Sequence, residues 1–294
     1  MFKLLQRQTS GSIVCPSCGQ LVQVQEPVCP QCGRRNPGIW GFARALRSRG
    51  YDYGFVSLVT WGCIGVYLAT LLVDPGGIRS SGALNLLSPS GRSLLLFGAT
   101  GSIPVFELGR FWTVLSCAWL HGGLLHIAFN LAWINEVGPF VAKLYGASRL
   151  VLIYTVAAMT GSVLTSIAGQ YFNELPAILH GASLSIGASG GIFGLFGALV
   201  AYGQITSDST MGQKYWRYAM ILFLIGFILP AVDNWGHLGG FLGGYVISRM
   251  PWLNPKTPES HRQLLVAIAC IILTLLSILA SIGHGILLLK LINS

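Results

Sequence analysis

Long apolar stretches broken by short polar segments dominate this chain. Seven of them lie at about 55–73, 122–142, 149–170, 186–203, 216–232, 234–250 and 263–288. Each approaches the ~20 mostly apolar residues that a helix needs to cross hydrocarbon. None alternates strongly as membrane strands do, so the pattern argues against a β-barrel. The expected fold class is an all-α polytopic membrane protein. Before the first stretch, the pattern is different. Residues 1–36 are polar and cysteine-bearing, and residues 37–54 are basic.

Composition agrees. The chain is 294 residues long, 53% hydrophobic and 9% charged, where a soluble domain carries roughly a quarter charged residues. The net charge of +9 is distributed asymmetrically. With the N-terminus inside, the inner segments hold Lys3, Arg7, Arg34, Arg35, Arg44, Arg47, Arg49, Lys143, Arg149, Lys214, Arg217, Arg249, Lys256 and Arg262. The outer segments hold only Arg79, Arg92, Arg110 and Lys290. This bias predicts an N-in orientation, with some attraction to the anionic lipid of the bilayer. No basic stripe interleaved with aromatics suggests a nucleic-acid partner, and none is expected. Residues 1–14 are too short and interrupted for a signal peptide. Trp40, Phe42 and Leu46 alternate with Arg44, Arg47 and Arg49, which fits either an amphipathic stretch on the inner surface or a basic juxtamembrane linker.

Cys15-Pro-Ser-Cys18-Gly and Cys29-Pro-Gln-Cys32-Gly form two near-identical knuckles. Each pair lets two thiolates approach one ion, and the following Gly permits a tight turn. Four thiolates satisfy tetrahedral Zn2+, so Cys15, Cys18, Cys29 and Cys32 predict a small zinc ribbon with a hairpin between the knuckles. Leu21–Gln25 alternates like a strand. Disulfides or a redox pair are the alternatives. The expected inner location argues against the first, and the lack of a thioredoxin-like βαβ pattern against the second. With so small a core, metal would supply most of the module's stability. With no open coordination position, its role would be structural or the binding of a cytoplasmic partner. Cys63, Cys117 and Cys270 read as packing residues.

Polar residues inside the apolar stretches are the candidate chemistry, because such groups are costly in lipid. His126 and Asn130 lie four apart on one helix face, Ser189 opens a glycine-rich helix, and His237 begins another. Counted from the helix starts, His126 is about four residues in and Ser189 and His237 about three, which places all three roughly 5 Å below the outer boundary. Gly240 and Gly244 follow His237 on its own face, so these helices can pack closely enough for hydroxyl to meet imidazole. Ser189 could attack a carbonyl while His237 takes its proton and later returns it to the leaving amine. Asn130, the His126 ring and the Ser189 backbone N–H are candidate oxyanion donors. Asp233 sits at a helix start, where capping is a better reading than membership of a triad.

These residues resemble the rhomboid family of intramembrane serine proteases. The resemblance runs over about 55–250 and rests on His121-Gly-Gly-Leu-Leu-His126-Ile-Ala-Phe-Asn130, Gly187-Ala-Ser189-Gly190 and His237-Leu-Gly-Gly240-Phe-Leu-Gly-Gly244. It implies a rhomboid-like six-helix core at 55–250, with 251–294 supplying a linker and a seventh helix. It implies Ser189 as nucleophile, His237 as base, and His126, Asn130 and the Ser189 backbone as oxyanion hole, with no catalytic cofactor. Phe193 matches the aromatic position that packs on the catalytic histidine. His121 matches a second histidine near the water-accessible site, with a structural hydrogen bond as the alternative role. The implied substrates are single-pass transmembrane proteins. Reduced cysteines on the inner side and the N-in topology fit a bacterial plasma membrane. Two positions depart from the family pattern. Trp112-Thr113 stands where Trp-Arg is frequent, leaving Arg110 as a partial substitute in loop anchoring, and Gly236 replaces an Ala. The loop 74–121 is apolar around Leu94–Phe97 and Phe111–Leu120, so it is expected partly in the outer leaflet.

Other classes are weaker. Gly187-Ala-Ser189-Gly190-Gly191 also satisfies the nucleophile elbow of α/β-hydrolases, but that motif needs a preceding strand and a mostly soluble sheet. A transporter would show an internal repeat around a midplane site. A non-catalytic scaffold that binds membrane segments would usually lack the serine or the histidine.

Overall fold

The computed structural model describes residues 6–82, 85–172, 174, 179–229 and 232–293. Of the charged positions counted above, Lys3 and the side chain of Lys290 lie outside the described part. The helices in chain order are α1 (Ala43–Arg47), α2 (Phe55–Val73), α3 (Gly91–Phe97), α4 (Thr113–Ser116), α5 (Leu124–Tyr145), α6 (Ala147–Tyr171), α7 (Ser189–Thr206), α8 (Ser209–Ile228), α9 (Asn234–Ser248) and α10 (His261–Asn293). All seven expected long helices are present. Four of them are long and apolar enough to cross a membrane, or five if α4 and its short extension form one bent span with α5, at 94°. By the same measure of length and composition, α8 and α9 fall short. The first half of α8 carries Lys214 and Arg217, and α9 has only 15 residues, which rise roughly 22 Å.

Helix starts follow local chemistry. Ser90, Asp208 and Asp233 accept from the backbone N–H of Ser93, Met211 and Gly236 and so cap α3, α8 and α9. Gly98, at φ 105°, ends α3 in a left-handed turn.

The core is a three-helix centre. α7 lies between α6 and α9 and is buried along most of Gly191–Ala201. Small residues make this possible. A Cβ on Gly240 would overlap the Gly190 carbonyl, and one on Gly244 the Gly194 carbonyl. Backbone therefore meets backbone across α7 and α9, as in other small-residue membrane interfaces. α2, α5 and α8 surround this centre, and their outward faces expose Trp61, Leu72, Phe129 and Ile228, an apolar surface suited to lipid. The loop before α5 is not a passive link. It contains α3, a π-turn at Ile103–Glu107 and α4, and it exposes Phe106 and Phe111.

At the other end sits the cysteine module. β1 (Ser12–Val14) pairs antiparallel with β2 (Leu21–Gln23), Ile13 opposite Val22. The strand expected near Leu21 is present, but the hairpin is not between the knuckles. It encloses the first knuckle, and a Val28–Arg35 bridge encloses the second. The local bonding explains why. Each knuckle closes on itself, Gly19 N–H on the Cys15 carbonyl and Gly33 N–H on the Cys29 carbonyl, with both glycines at positive φ. α1 belongs to this unit, since Ala43 and Leu46 pack against Ile13, Val22 and Val24. The residues read as an amphipathic stretch or linker therefore line the module.

Candidate active site

Three helices begin at the end of the bundle remote from the module. His126 is the third residue of α5 and His237 the fourth of α9. Ser189 is the first residue of α7, not about the third as expected. The preceding residues look like more helix in sequence. They are held extended instead, by paired bonds between Thr100 and Ser185 and by Gly187 N–H donating to the Cys117 carbonyl at 2.9 Å. Opening the helix on Ser189 has a chemical result. Its backbone N–H, with those of Gly190 and Gly191, lacks an intrahelical acceptor, and Ala188 offers no side-chain cap. The first turn of α7 thus presents bare donors at the positive end of a helix dipole.

His126 adds a donor. Its Nδ1 accepts the Gly122 N–H at 3.2 Å. In a neutral ring the proton then resides on Nε2. Gly187 shows where that N–H points. A Cβ built there would lie 2.8 Å from His126 Nε2 and 3.7 Å from Ser189 Oγ. The small volume above Gly187 is therefore shared by a hydroxyl and a ring donor, and only glycine leaves it open. Gly187 also needs its φ of 126°, a conformation other residues resist.

Asn130 lies one turn further along α5. It is buried, and its Nδ2 donates to the His126 carbonyl at 2.9 Å, leaving a second N–H. The Asn130 Oδ1 has no partner among the described residues.

His237 is buried and stacks on Phe193, ring centroids 4.0 Å apart and planes 12° apart. Phe193 is one turn after Ser189, so the stack holds the imidazole beside the serine end of α7. Its Nδ1 is buried without a partner, and among the described residues no hydrogen bond joins His237 to the Ser189 hydroxyl. Asp233 is committed elsewhere. Its carboxylate accepts from Gly236 N–H, Thr165 Oγ1 and Ser185 Oγ, which makes it a cap and a junction of three segments. His121 is fully buried, packs edge-on against His126 at 5.1 Å, and has no hydrogen-bond partner among the described residues.

Arg110 is fully buried and anchors the long loop, donating to the carbonyls of Leu95 at 2.7 Å and of Ser281 in α10 at 2.8 Å. Trp112 joins it through Nε1 to Ser281 Oγ. Nothing in the sequence pairs Arg110 with a helix 171 residues away.

The four knuckle cysteines form one cluster, with all sulfurs within 4.8 Å of one another. Cys15 and Cys32 Sγ lie 3.8 Å apart, and Cys18 and Cys29 Sγ 3.7 Å apart. A tetrahedral site with metal–sulfur bonds of 2.3 Å has edges of about 3.8 Å. The residues fit such an ion. The Cys32 backbone N–H pulls the Cys29 thiol down to about 7, whereas burial pushes Cys32 up to about 12.

Comparison with known proteins settles the family. Residues 108–253 match the rhomboid domain. The chain belongs to the rhomboid family. The matched region contains every candidate active-site residue and begins after α2, later than the residue 55 expected from the resemblance. Among rhomboid relatives, it is 31% identical to RHOMBOID-like protein 1 of Arabidopsis thaliana over 176 residues, 58% of this chain and 42% of that protein. It is 33% identical to the rhomboid protease GluP of Bacillus subtilis (strain 168) over 190 residues, 63% of this chain and 34% of that protein. It is also 28% identical to the inactive RHOMBOID-like protein 8 of Arabidopsis thaliana over 186 residues, 60% of this chain and 49% of that protein. This rhomboid protein thus matches only about a third to a half of the length of these relatives.

Proposed function

We propose that this rhomboid protein is an intramembrane serine endopeptidase that uses Ser189 and His237 as a dyad. The space above Gly187, shared by Ser189 Oγ and His126 Nε2, carries the reading most directly. Ser189 Oγ attacks the scissile carbonyl carbon, and His237 accepts the hydroxyl proton. The carbonyl oxygen becomes an oxyanion stabilised by His126 Nε2–H, the Ser189 backbone N–H and the remaining Asn130 N–H. Collapse expels the amine, which takes the proton from His237. Water, activated by the same imidazole, then cleaves the ester and restores the serine. Single-pass transmembrane proteins are the proposed substrates, cut in or near the membrane segment. The proposed location is a bacterial plasma membrane with the cysteine module inside, supported by the charge asymmetry. Zn2+ is the proposed ion of the module, held by Cys15, Cys18, Cys29 and Cys32 in a structural role.

The likeness to a relative named inactive keeps a second reading in view, a binding scaffold without chemistry. One assay separates them. Purified protein in liposomes should cleave a model single-pass substrate, and Ser189→Ala should not. Equal cleavage by both would remove Ser189 as nucleophile. Substrate bound but uncut by wild type would favour the scaffold.

A further inference from the structure

The cysteine module is docked against the helical core, and its docking is specific. Ser17 lies between the two cysteines of the first knuckle, and Arg34 directly follows the second. Both reach one residue, Glu259, in the strap between α9 and α10. Ser17 Oγ donates to the Glu259 carbonyl. Arg34 Nη1 donates to Ser17 Oγ at 2.7 Å and to the same carbonyl at 3.1 Å, and it lies 3.7 Å from Glu259 Oε2. Arg34 and Glu259 are both buried.

Glu259 simultaneously faces the core. Its Oε1 accepts the backbone N–H of Ser148 at 2.7 Å and of Arg149 at 3.2 Å, at the first turn of α6. One carboxylate therefore joins the module to the positive end of a core helix. The strap is fixed from the core side as well, because the Arg149 guanidinium donates to the carbonyls of Thr257 and Pro258. Apolar contacts extend the joint. Leu264 of α10 packs with Ile13 and Val24, and the Trp40 and His261 rings lie 5.4 Å apart.

We propose that Glu259 is a latch that couples metal binding in the module to the stability of the helical core. Each knuckle contributes one hydrogen-bonding side chain, so the two-sided grip forms only when the knuckles are held together. Gathering four thiolates on one ion holds them together. The core in turn offers a carboxylate already held at the start of α6 by two backbone N–H groups, and that carboxylate loses its guanidinium partner when the module departs. Metal binding and core folding therefore share a free energy, and the coupling is reciprocal. The inference rests on the four cysteines being a metal site.

The test uses the full chain in detergent. Metal content by elemental analysis establishes the site first. Core unfolding is then followed by near-UV circular dichroism with and without a chelator, and metal affinity is measured by competition with a chromophoric chelator. Chelation is expected to lower the core melting temperature of wild type by several degrees. Arg34→Ala keeps all four cysteines and the Glu259 cap on α6. It should bind metal about tenfold more weakly, within the usual range of coupling, and lose most of the chelator-dependent shift. Ser17→Ala should show the same direction with a smaller effect and serves if Arg34→Ala does not fold. No bound metal would overturn the metal site and the latch together. Bound metal with a melting temperature indifferent to chelation, or Arg34→Ala and Ser17→Ala with wild-type affinity and shift, would overturn the latch alone.

Discussion

At the scale of single residues, Gly187 is the most constrained position in the site. A side chain there must adopt an unfavourable φ and enter the volume between His126 Nε2 and Ser189 Oγ. Gly187→Ala is therefore expected to lower kcat about a hundredfold while the protein still folds, as loss of an oxyanion donor does. His126→Ala should fall in the same range. Steady-state cleavage of one model substrate, with near-UV circular dichroism as the folding control, checks both. The residues of the candidate site stand out in sequence because each is polar in an apolar run. Glu259 and Arg34 do not. Each reads as an ordinary surface charge, and only the folded chain shows both buried against each other. His121 was legible as a matching position, but its edge-on contact with His126 depends on tertiary packing.

At the scale of elements, helix position was read better than helix start. The seven long helices fall close to their hydropathy peaks, since apolar length drives both. The start of α7 was misplaced by three residues because Ile186 and Ala188 continue the apolar run, while the bonds that hold this segment extended come from Thr100 and Cys117 in a distant loop. Asp233 fixes the corresponding start of α9. Asp233→Ala removes a cap and leaves Thr165 and Ser185 without their acceptor. We expect a loss of about 2 kcal/mol, read as a lower melting temperature, with activity falling because His237 is four residues away. Gly244→Val tests the α7–α9 contact. Its side chain would enter the Gly194 backbone, and an overpacking cost of about 1–3 kcal/mol or more is expected, together with loss of cleavage as Phe193 and His237 separate.

At the scale of the whole molecule, α10 touches both ends of the architecture. Near its start Leu264 meets the module, and at its middle and one turn later Ser277 and Ser281 hold Trp112 and Arg110 of the long loop. Arg110→Ala should free that loop without disturbing the module. Faster proteolysis between residues 74 and 121, with unchanged metal content, is the expected result. The loop's anchoring arginine was foreseen as a substitute for the missing family residue, but its partners were hidden, since a backbone carbonyl on a remote helix leaves no trace in composition or periodicity.

The separation of 225 residues between Arg34 and Glu259 also sets an order in time. Synthesis proceeds from the N-terminus, so both knuckles are complete while the rest of the chain is still unmade. They can close on an ion early, but Glu259 emerges only after every core helix up to α9. The Arg34–Glu259 pair is therefore among the last contacts the nascent chain can form. Until then the module has no carboxylate to dock on, so its docking reports a chain made at least through α9.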